Sequence, residues 1–309
     1  MSYNIYFKLP NISFPILLHK AINRIYMFIF KKFFIKNFEN QVIKSRLHDT
    51  IGINVEKRDF IIEVSLTSFP ARINEVSSTI ETIFSQTVKA DVINLWLSID
   101  QFPDKKIPEF LELQKKRGLN IVFVDDDLRS HKKYYYAFKN QTNNLVITFD
   151  DDVYYPENTI ESLVLAHLNF PDAVICNRGH KINISHNEIA KYKKWNHNYN
   201  SKQPSFLAVP TGVGGVLYPP NCYHQDIFDT NTFKSICFYA DDLWLKVHTL
   251  RKKTKVLSLR TYSRDFINVG GSQKFKLVQH NALEGGNDKQ FANLLKHYNL
   301  TTKDFQDEA

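Results

Sequence analysis

The stretch Val146-Ile147-Thr148-Phe149-Asp150-Asp151-Asp152-Val153-Tyr154-Tyr155-Pro156 joins an apolar run to three consecutive carboxylates. The run is rich in β-branched residues, which is typical of a buried strand. Because side chains alternate along a strand, the pattern places Asp150 and Asp152 on one side and Asp151 on the other. Neighbouring carboxylates repel each other unless a cation lies between them.

The chemistry of the triplet points to a bound cation. Hard divalent ions take oxygen ligands, and Mg²⁺ commonly binds one or two carboxylates together with substrate phosphates. In open α/β sheets, ligands bind at the carboxyl ends of the strands. The simplest interpretation is a metal site for a phosphorylated substrate. The alternative is a solvated acidic turn, since a second triplet, Asp125-Asp126-Asp127, also follows an apolar run.

The composition is that of a globular protein. A chain of 309 residues suits one large domain or a domain with additions. A hydrophobic fraction of 43% is enough for an extensive core. The three cysteines, Cys176, Cys222 and Cys237, have no metal-ligand spacing. They predict reduced, partly buried thiols in a cytosolic protein.

The positive charge is concentrated at the N-terminus. Residues 1–50 contain eight Lys and Arg and two Asp and Glu, so they hold +6 of the net charge of +8. The body of the protein therefore holds +2, which does not indicate nucleic-acid binding.

The same N-terminal segment is rich in large apolar residues, but charges interrupt them. No run reaches the roughly 20 apolar residues that span a bilayer, and no small-residue cleavage site marks a signal peptide. We expect residues 1–55 to form a basic amphipathic segment at an anionic membrane surface, and residues 56–309 to form the main domain. The protein would then be cytoplasmic and peripheral on the inner face of the plasma membrane. The alternative is a helix packed on the domain with its lysines solvated.

Strand and helix patterns alternate from about residue 59 onward. Alternation of this kind predicts an α/β fold with a mostly parallel central sheet and helices on both faces. Residues 178–203 are polar and irregular, as in a loop over a site or a surface excursion. The predicted strands are 60–66, 92–99, 121–124, 145–149 and 173–176, and the predicted helices are 73–84, 107–117, 132–140, 156–167 and 288–298.

Two further motifs lie near predicted strand ends and helix starts. Where the first strand meets the first helix, Thr67, Ser68 and Arg72 suit a nucleotide, because hydroxyls, a helix N-terminus and a guanidinium all bind phosphates. The alternative is capping by Thr67 or Ser68 with Arg72 in solvent. Lys132 and Lys133, at a later helix start, suit a diphosphate. The alternative for them is a solvated face, although three adjacent tyrosines argue against it.

A glycine-rich segment and an acidic pair follow. Gly214 and Gly215, within residues 210–220, permit a close approach of backbone to ligand. No Lys-Ser/Thr follows, so this is not a phosphate loop, and a tight bend is the alternative. Asp241 and Asp242 begin an apolar helix. The helix dipole alone favours them there, but one of them would also serve as a general base near an acceptor hydroxyl.

The order of these motifs resembles that of a bacterial glycosyltransferase of the GT-A fold, related to the large family-2 group. The resemblance rests on Thr-Ser-Phe-Pro-Ala-Arg, Asp-Leu-Arg-Ser-His-Lys-Lys-Tyr, the Asp-Asp-Asp triplet, the glycine-rich segment, and Asp-Asp before Leu-Trp. It spans residues 60–290. Each motif is weak alone, whereas the set in this order is specific.

The resemblance implies a fold, a donor and a metal. It implies a Rossmann-like nucleotide-sugar-binding fold, a donor of the UDP-sugar type, and Mn²⁺ or Mg²⁺ held by Asp150, Asp152 and His280. Gly214 and Gly215 would form a loop between donor and acceptor. The implied donor-binding residues are Thr67, Ser68, Arg72, Asp127, Lys132, Lys133, Asp150 and Asp151.

The resemblance also implies a reaction. Asp242 corresponds to the base, with Asp241 as its rival, because Asp-Asp stands here where Glu-Asp is the commoner form. The acceptor would be a hydroxyl of a glycan or lipid-linked molecule in surface polysaccharide synthesis (capsule or lipopolysaccharide). The transfer would be inverting, whereas a retaining enzyme of the same fold would not need the base.

Two other functions remain as alternatives. A non-catalytic, membrane-associated subunit of a polysaccharide assembly complex is disfavoured by the intact acidic motifs. A nucleotidyltransferase that makes the activated sugar is disfavoured because no glycine-rich phosphate loop follows the first strand.

Overall fold

A seven-stranded sheet forms the centre of the protein. The computed structural model describes residues 36, 38–45, 47–140, 143–262, 266–270 and 286–307. The sheet has the strand order β12-β6-β11-β4-β1-β2-β3. The described strands are β1 (Ile62–Thr67), β2 (Val92–Ser98), β3 (Leu119–Val124), β4 (Leu145–Thr148), β5 (Val153–Tyr154), β6 (Val174–Cys176), β7 (Gly179–Lys181), β8 (Ile184–Ser185), β9 (Glu188–Ile189), β10 (Ala208–Pro210), β11 (Val216–Tyr218), β12 (Val256–Ser258) and β13 (Ile267–Asn268).

Helices cover both faces of this sheet. On β4, Ile147 packs into one core with α1, α2 and α4, while Val146 packs into the other core with α3, α5, α6 and α7. This division follows from the alternation of side chains along a strand. The helices are α1 (Val76–Phe84), α2 (Glu109–Lys116), α3 (Lys132–Lys139), α4 (Thr159–Asn169), α5 (Thr230–Ile236), α6 (Asp241–Arg251) and α7 (Gly286–His297).

The predicted fold class is confirmed. β11 runs antiparallel to β4 and β6, and the other neighbours in the central sheet are parallel. The sheet is therefore mostly parallel with helices on both faces.

The register brings the ends of several strands to one edge. Ser65 of β1 lies opposite Thr148 of β4, and Val216, at the start of antiparallel β11, also lies opposite Thr148. Val216 pairs with Cys176, the last residue of β6, as well. The segments after β1, β4 and β6 and the glycine-rich segment before β11 therefore meet at this edge.

The structure differs from the sequence prediction in three places. β4 ends at Thr148, so the acidic triplet lies in the turn that follows rather than on the strand. α4 begins at Thr159, three residues after Pro156. The segment 178–203, predicted to be irregular, contains β7, β8 and β9, and β7 pairs with β10.

The other predictions are partly covered by the structure. The three cysteines are free and buried, as expected. Residues 38–45 are helical, while the rest of the predicted membrane segment up to residue 35 lies outside the described residues. Within the described part of the chain, every helix is too short or too polar to cross a bilayer.

Candidate active site

The acidic triplet forms hydrogen bonds and ion pairs with the segment after β1 and with α1. Ser68 Oγ donates to Asp151 Oδ2 (2.6 Å), and Arg72 Nη1 lies 2.9 Å from Asp151 Oδ1 and 3.1 Å from Asp152 Oδ2. The hydroxyl of Thr79, on α1, donates to the carbonyl of Asp151 at 2.9 Å. Because Asp151 and Asp152 are 6% and 7% exposed, the alternative of a solvated turn is wrong.

Asp151 and Asp152, not Asp150 and Asp152, converge on one group. The alternation expected along a strand does not apply, because β4 has already ended at Thr148. Arg72 therefore contacts the second and third carboxylates. Burial raises the pKa of Asp152 to about 6 even though Arg72 opposes the shift. Arg72 is not solvated, and the described contacts show no capping hydrogen bond from Ser68 to the turn at Pro70–Arg72.

Lys133 connects the triplet to the acidic pair. Its buried Nζ lies 2.8 Å from Asp150 Oδ1 and 2.9 Å from Asp241 Oδ2. Burial alone would lower the pKa of Lys133, but the charges of Asp150 and Asp241 outweigh it and raise the pKa well above its usual value. A single ammonium group thus joins the edge after β4 to the start of α6.

The position of Lys133 is fixed by β1 and β2. The Lys133 carbonyl accepts a hydrogen bond from Ser65 Oγ, and Trp96 Nε1 donates to the same hydroxyl oxygen at 2.8 Å. The N-terminus of α3 is therefore held against the middle of the sheet. This contact aims the side chain of Lys133 at the triplet.

The two aspartates of the acidic pair differ in their surroundings. Burial opposes ionisation of Asp241, but Lys133 outweighs it and holds the pKa of Asp241 below its usual value. For Asp242, desolvation and the negative charge of Asp241 raise the pKa to about 7. The Gly212 N–H donates to both carboxylate oxygens of Asp242, at 3.2 and 3.3 Å. Asp241 therefore stays ionised beside Lys133, whereas Asp242 takes up a proton near neutral pH.

Gly212 is the glycine that approaches the charged cluster. A Cβ atom at this position would lie 2.6 Å from Asp150 Oδ1 and 2.8 Å from Lys133 Nζ. The two glycines selected from the sequence have other surroundings. A Cβ on Gly214 would meet Arg178, and Gly215 has a φ of +75° with Phe149 against it. Their immediate contacts are therefore with packed neighbours rather than with the acidic cluster.

The other predicted donor-binding residues divide into two groups. Lys132 Nζ donates to Asp127 Oδ1 at 2.6 Å, so these two residues pair with each other, apart from Lys133. Thr67 Oγ1 donates to the carbonyl of Trp96 at 2.8 Å and is engaged in holding β1 to β2. Ser68 and Arg72, by contrast, contact the triplet directly.

The site contains more carboxylates than cationic groups. Five carboxylates, Asp150, Asp151, Asp152, Asp241 and Asp242, form the cluster, and Arg72 and Lys133 bring two positive charges to it. Carboxylates this close repel each other unless cations offset their charge. Among the described residues, no group of three or more His, Cys, Asp or Glu side chains has a metal-binding arrangement. A bound ion would complete its shell with phosphate and water oxygens, as Mg²⁺ commonly does. His280 lies outside the described residues.

Several residues of the site were not singled out from the sequence. Gly212 and Thr211 belong to the recognised glycine-rich segment, but their contacts depend on how that segment bends. His131 is fully buried, stacks on Phe233 at 4.3 Å, and lies 3.1 Å from the Cys237 carbonyl. Arg178 lies beside Thr211, with Nη1 donating to Oγ1 at 3.0 Å. Long-range contacts of this kind leave no local pattern in a sequence.

Comparison with known proteins gives general likeness only. No family model matches the chain, and no curated protein matches its sequence. The solved structures with some likeness include a UTP-bound UGPase from Acinetobacter baumannii, with 12% identity and a TM-score of 0.39 over 75% of this chain and 98% of that one. Residues 1–349 of TarS from S. aureus give 12% identity and a TM-score of 0.41 over 79% and 73%.

A third structure is similar to the same degree. The 4-diphosphocytidyl-2C-methyl-D-erythritol synthase from Anaerococcus prevotii gives 15% identity and a TM-score of 0.39 over 73% of this chain and 96% of that one. Likeness at these levels carries no argument about the activity of the chain.

Proposed function

We propose that the protein is a metal-dependent glycosyltransferase that moves a sugar from a nucleotide-diphosphate sugar, of the UDP type, to a hydroxyl group. The observation that carries the proposal is the connection of two acidic motifs through Lys133. On one side lies a triplet suited to a metal and a diphosphate. On the other lies Asp242, a carboxylate with a pKa raised to about 7. A transferase of this kind needs both functions within one site.

The donor side would stabilise the departing diphosphate. Asp150 and Asp152 would hold the metal ion after exchanging their contacts with Lys133 and Arg72 for it, and the ion would supply positive charge to the leaving group. Lys133 and Arg72 add fixed positive charges beside the same carboxylates. Ser68 keeps Asp151 oriented, so the triplet does not have to reorganise when the donor arrives.

The acceptor side would remove a proton. A sugar hydroxyl is a weak nucleophile until its proton leaves, and a carboxylate with a pKa near the working pH is well suited to accept it. Asp242 meets this condition, whereas Asp241 is paired with Lys133. A base on the acceptor predicts direct displacement at the anomeric carbon, and therefore inversion. We propose the hydroxyl of a glycan or lipid-linked acceptor in surface polysaccharide synthesis as the substrate.

The direct test is a screen of nucleotide-sugars with Mn²⁺ or Mg²⁺ and a mixture of glycan acceptors. We expect release of a nucleoside diphosphate together with a glycosylated product. Release of pyrophosphate from a nucleoside triphosphate and a sugar phosphate would instead identify a nucleotidyltransferase. Absence of both activities across the panel would support a non-catalytic subunit.

Replacing Asp152 by Ala should remove the metal-dependent part of donor binding. The reason is that Asp152 supplies one of the two carboxylates proposed to hold the ion. Calorimetry with the donor, in the presence of Mn²⁺ and then of EDTA, measures this part. Asp104→Ala removes an exposed carboxylate elsewhere and should bind like the wild type. If Asp152→Ala keeps a full response to EDTA, the metal assignment fails.

The N-terminal segment is proposed to tether the enzyme to anionic membranes, with the catalytic domain covering residues 56–309. Residues 1–50 hold +6 of the net charge of +8 among many aromatic residues. Full-length protein should sediment with anionic liposomes, and less so as salt rises. Removal of residues 1–35 should abolish this binding, whereas residues 38–45 are kept because Val42 packs into the core and Ser45 Oγ donates to Glu81. Equal sedimentation of the two forms would contradict the tether.

A further inference from the structure

A second concentration of positive charge lies in residues 178–203, called here the basic segment. It contains six Lys and Arg residues and one acidic residue, Glu188, and so carries +5 without its histidines. The other residues after position 50 together carry −3, because positions 51–309 hold +2 in total. The six basic residues are Arg178, Lys181, Lys191, Lys193, Lys194 and Lys202.

The sheet places the start of this segment beside the proposed base. β7 pairs with β10, with Gly179 opposite Pro210, and β10 leads directly into Thr211 and Gly212. The Thr211 N–H donates to the carbonyl of Arg178 at 3.1 Å. The next residue, Gly212, donates to Asp242. The backbone N–H groups of two consecutive residues therefore connect the basic segment to the carboxylate that would deprotonate the acceptor.

The middle of the segment forms an aromatic wall against β7. The ring of Tyr192 lies 4.9 Å from that of Trp195, 5.7 Å from that of His180 and 5.6 Å from that of His197. His180 lies on β7 opposite Val209, so the wall packs beside the strand that leads to Gly212 and its contact with Asp242.

The wall is anchored and flanked by charge. The Tyr192 N–H donates to Asp288 Oδ1 at 2.6 Å, so α7 holds the wall in place. Lys191, Lys193 and Lys194 are exposed on either side of Tyr192. His180 and Trp195 are buried, so Tyr192 and the exposed His197 are the rings that can face a small organic ligand. The surrounding lysines add attraction for an anion.

We propose that the basic segment binds the acceptor, and that the acceptor is a glycan carrying negative charge on carboxylate or phosphate groups. The inference rests on the proposed function, because it takes Asp242 as the group that receives the acceptor proton. The donor diphosphate does not account for this charge, since the triplet already has Lys133 and Arg72. Complementary charge of this kind raises association rates and specificity more than it raises affinity at a single contact.

The test measures glycan binding without donor. The probes are an oligogalacturonate with its neutral methyl ester, and a phosphorylated glucan oligosaccharide with its dephosphorylated form. The wild type should bind at least one charged probe about tenfold or more tightly than its neutral partner. The variant Lys191→Gln/Lys193→Gln/Lys194→Gln should lose this preference.

Two controls make the result specific. A second variant, Lys106→Gln/Lys116→Gln/Lys252→Gln, removes three exposed lysines elsewhere and should keep the preference. A single-stranded DNA oligonucleotide of equal charge should bind more weakly than the charged glycan. Equal binding of the DNA, a wild type without preference for either charged glycan, or an unchanged preference in the first variant would each overturn the inference.

The donor reports separately on the proposed function. UDP-sugar binding should be the same in the wild type and in both lysine variants, because the basic segment lies on the acceptor side. If charged glycans bind as expected but no nucleotide is released from any donor, the proposed function fails while the binding surface stands. If nucleotide is released but charged glycans are not preferred, the acceptor inference fails while the proposed function stands.

Discussion

The Asp242→Asn variant is expected to lose about 10²–10⁴-fold in sugar transfer while it keeps its affinity for the donor. Asn has the shape of Asp but cannot accept the acceptor proton. It can still accept the hydrogen bond from the Gly212 N–H, so the local structure should be retained. Transfer is measured as product formed from donor and acceptor, and donor affinity by calorimetry.

Asp241→Asn is the matched control. Asp241 is the ion-pair partner of Lys133, and its pKa lies below the usual value, so it is the weaker base of the two. We expect this variant to keep more transfer activity than Asp242→Asn. Near-normal turnover in Asp242→Asn would contradict the assignment. The anomeric configuration of the product, measured by NMR, would then show whether Asp241 is the base or the reaction is retaining.

The pH profile gives an independent check on the same residue. Because the pKa of Asp242 is raised to about 7, the carboxylate becomes protonated as the pH falls through that value. A protonated carboxyl cannot accept a proton, so the wild-type kcat/KM should fall on the acid side of about pH 7. The residual activity of Asp242→Asn should lack this acid limb.

Replacing Lys133 by Met is expected to lower the free energy of unfolding by about 3–5 kcal/mol, as is typical when one partner of a buried ion pair is removed. Met fills similar space but leaves Asp150 and Asp241 without the ammonium that lies 2.8 and 2.9 Å from them. Urea denaturation measures the change. Donor affinity should also fall, since the positive charge beside the proposed phosphate site is lost.

Two controls separate charge from packing. Lys115→Met removes an exposed lysine paired with Glu112 and should change stability by about 1 kcal/mol or less. Adding Asp241→Asn to Lys133→Met should restore part of the lost stability, because one uncompensated carboxylate is then gone. If the double variant is less stable than the sum of its single changes predicts, burial of charge is not the cause.

The sequence was sufficient to predict the alternating strands and helices and the edge at which the motifs meet. Long β-branched runs such as Ile62–Thr67 and Val92–Ser98 carry enough periodicity to identify a strand. Strands of three residues, such as β10 and β11, carry too little. The antiparallel β11 and the β7–β10 pair were therefore not predictable, although they place Gly212 and Arg178.

The different partners that adjacent residues contact were also not predictable from the sequence. Lys132 and Lys133 follow each other in one helix, where successive side chains point in different directions. One therefore pairs with Asp127, and the other reaches Asp150 and Asp241. Likewise, Asp151 and Asp152 share Arg72 because a turn, not a strand, carries them. Which residue faces which partner depends on the end point of each element to within one residue.

Because Lys133 contacts both Asp150 and Asp241, donor binding should be coupled to the protonation of the acidic pair. A diphosphate that attracts this ammonium withdraws positive charge from Asp241 and Asp242, and their proton affinity rises as a result. By thermodynamic reciprocity, the protonation state of the acidic pair must then influence the affinity for the donor. Donor binding should be accompanied by proton uptake, measurable as a dependence of the binding enthalpy on the buffer. Because a protonated Asp242 cannot accept the acceptor proton, the acid limb of the transfer rate at saturating donor should lie at a higher pH than that of kcat/KM.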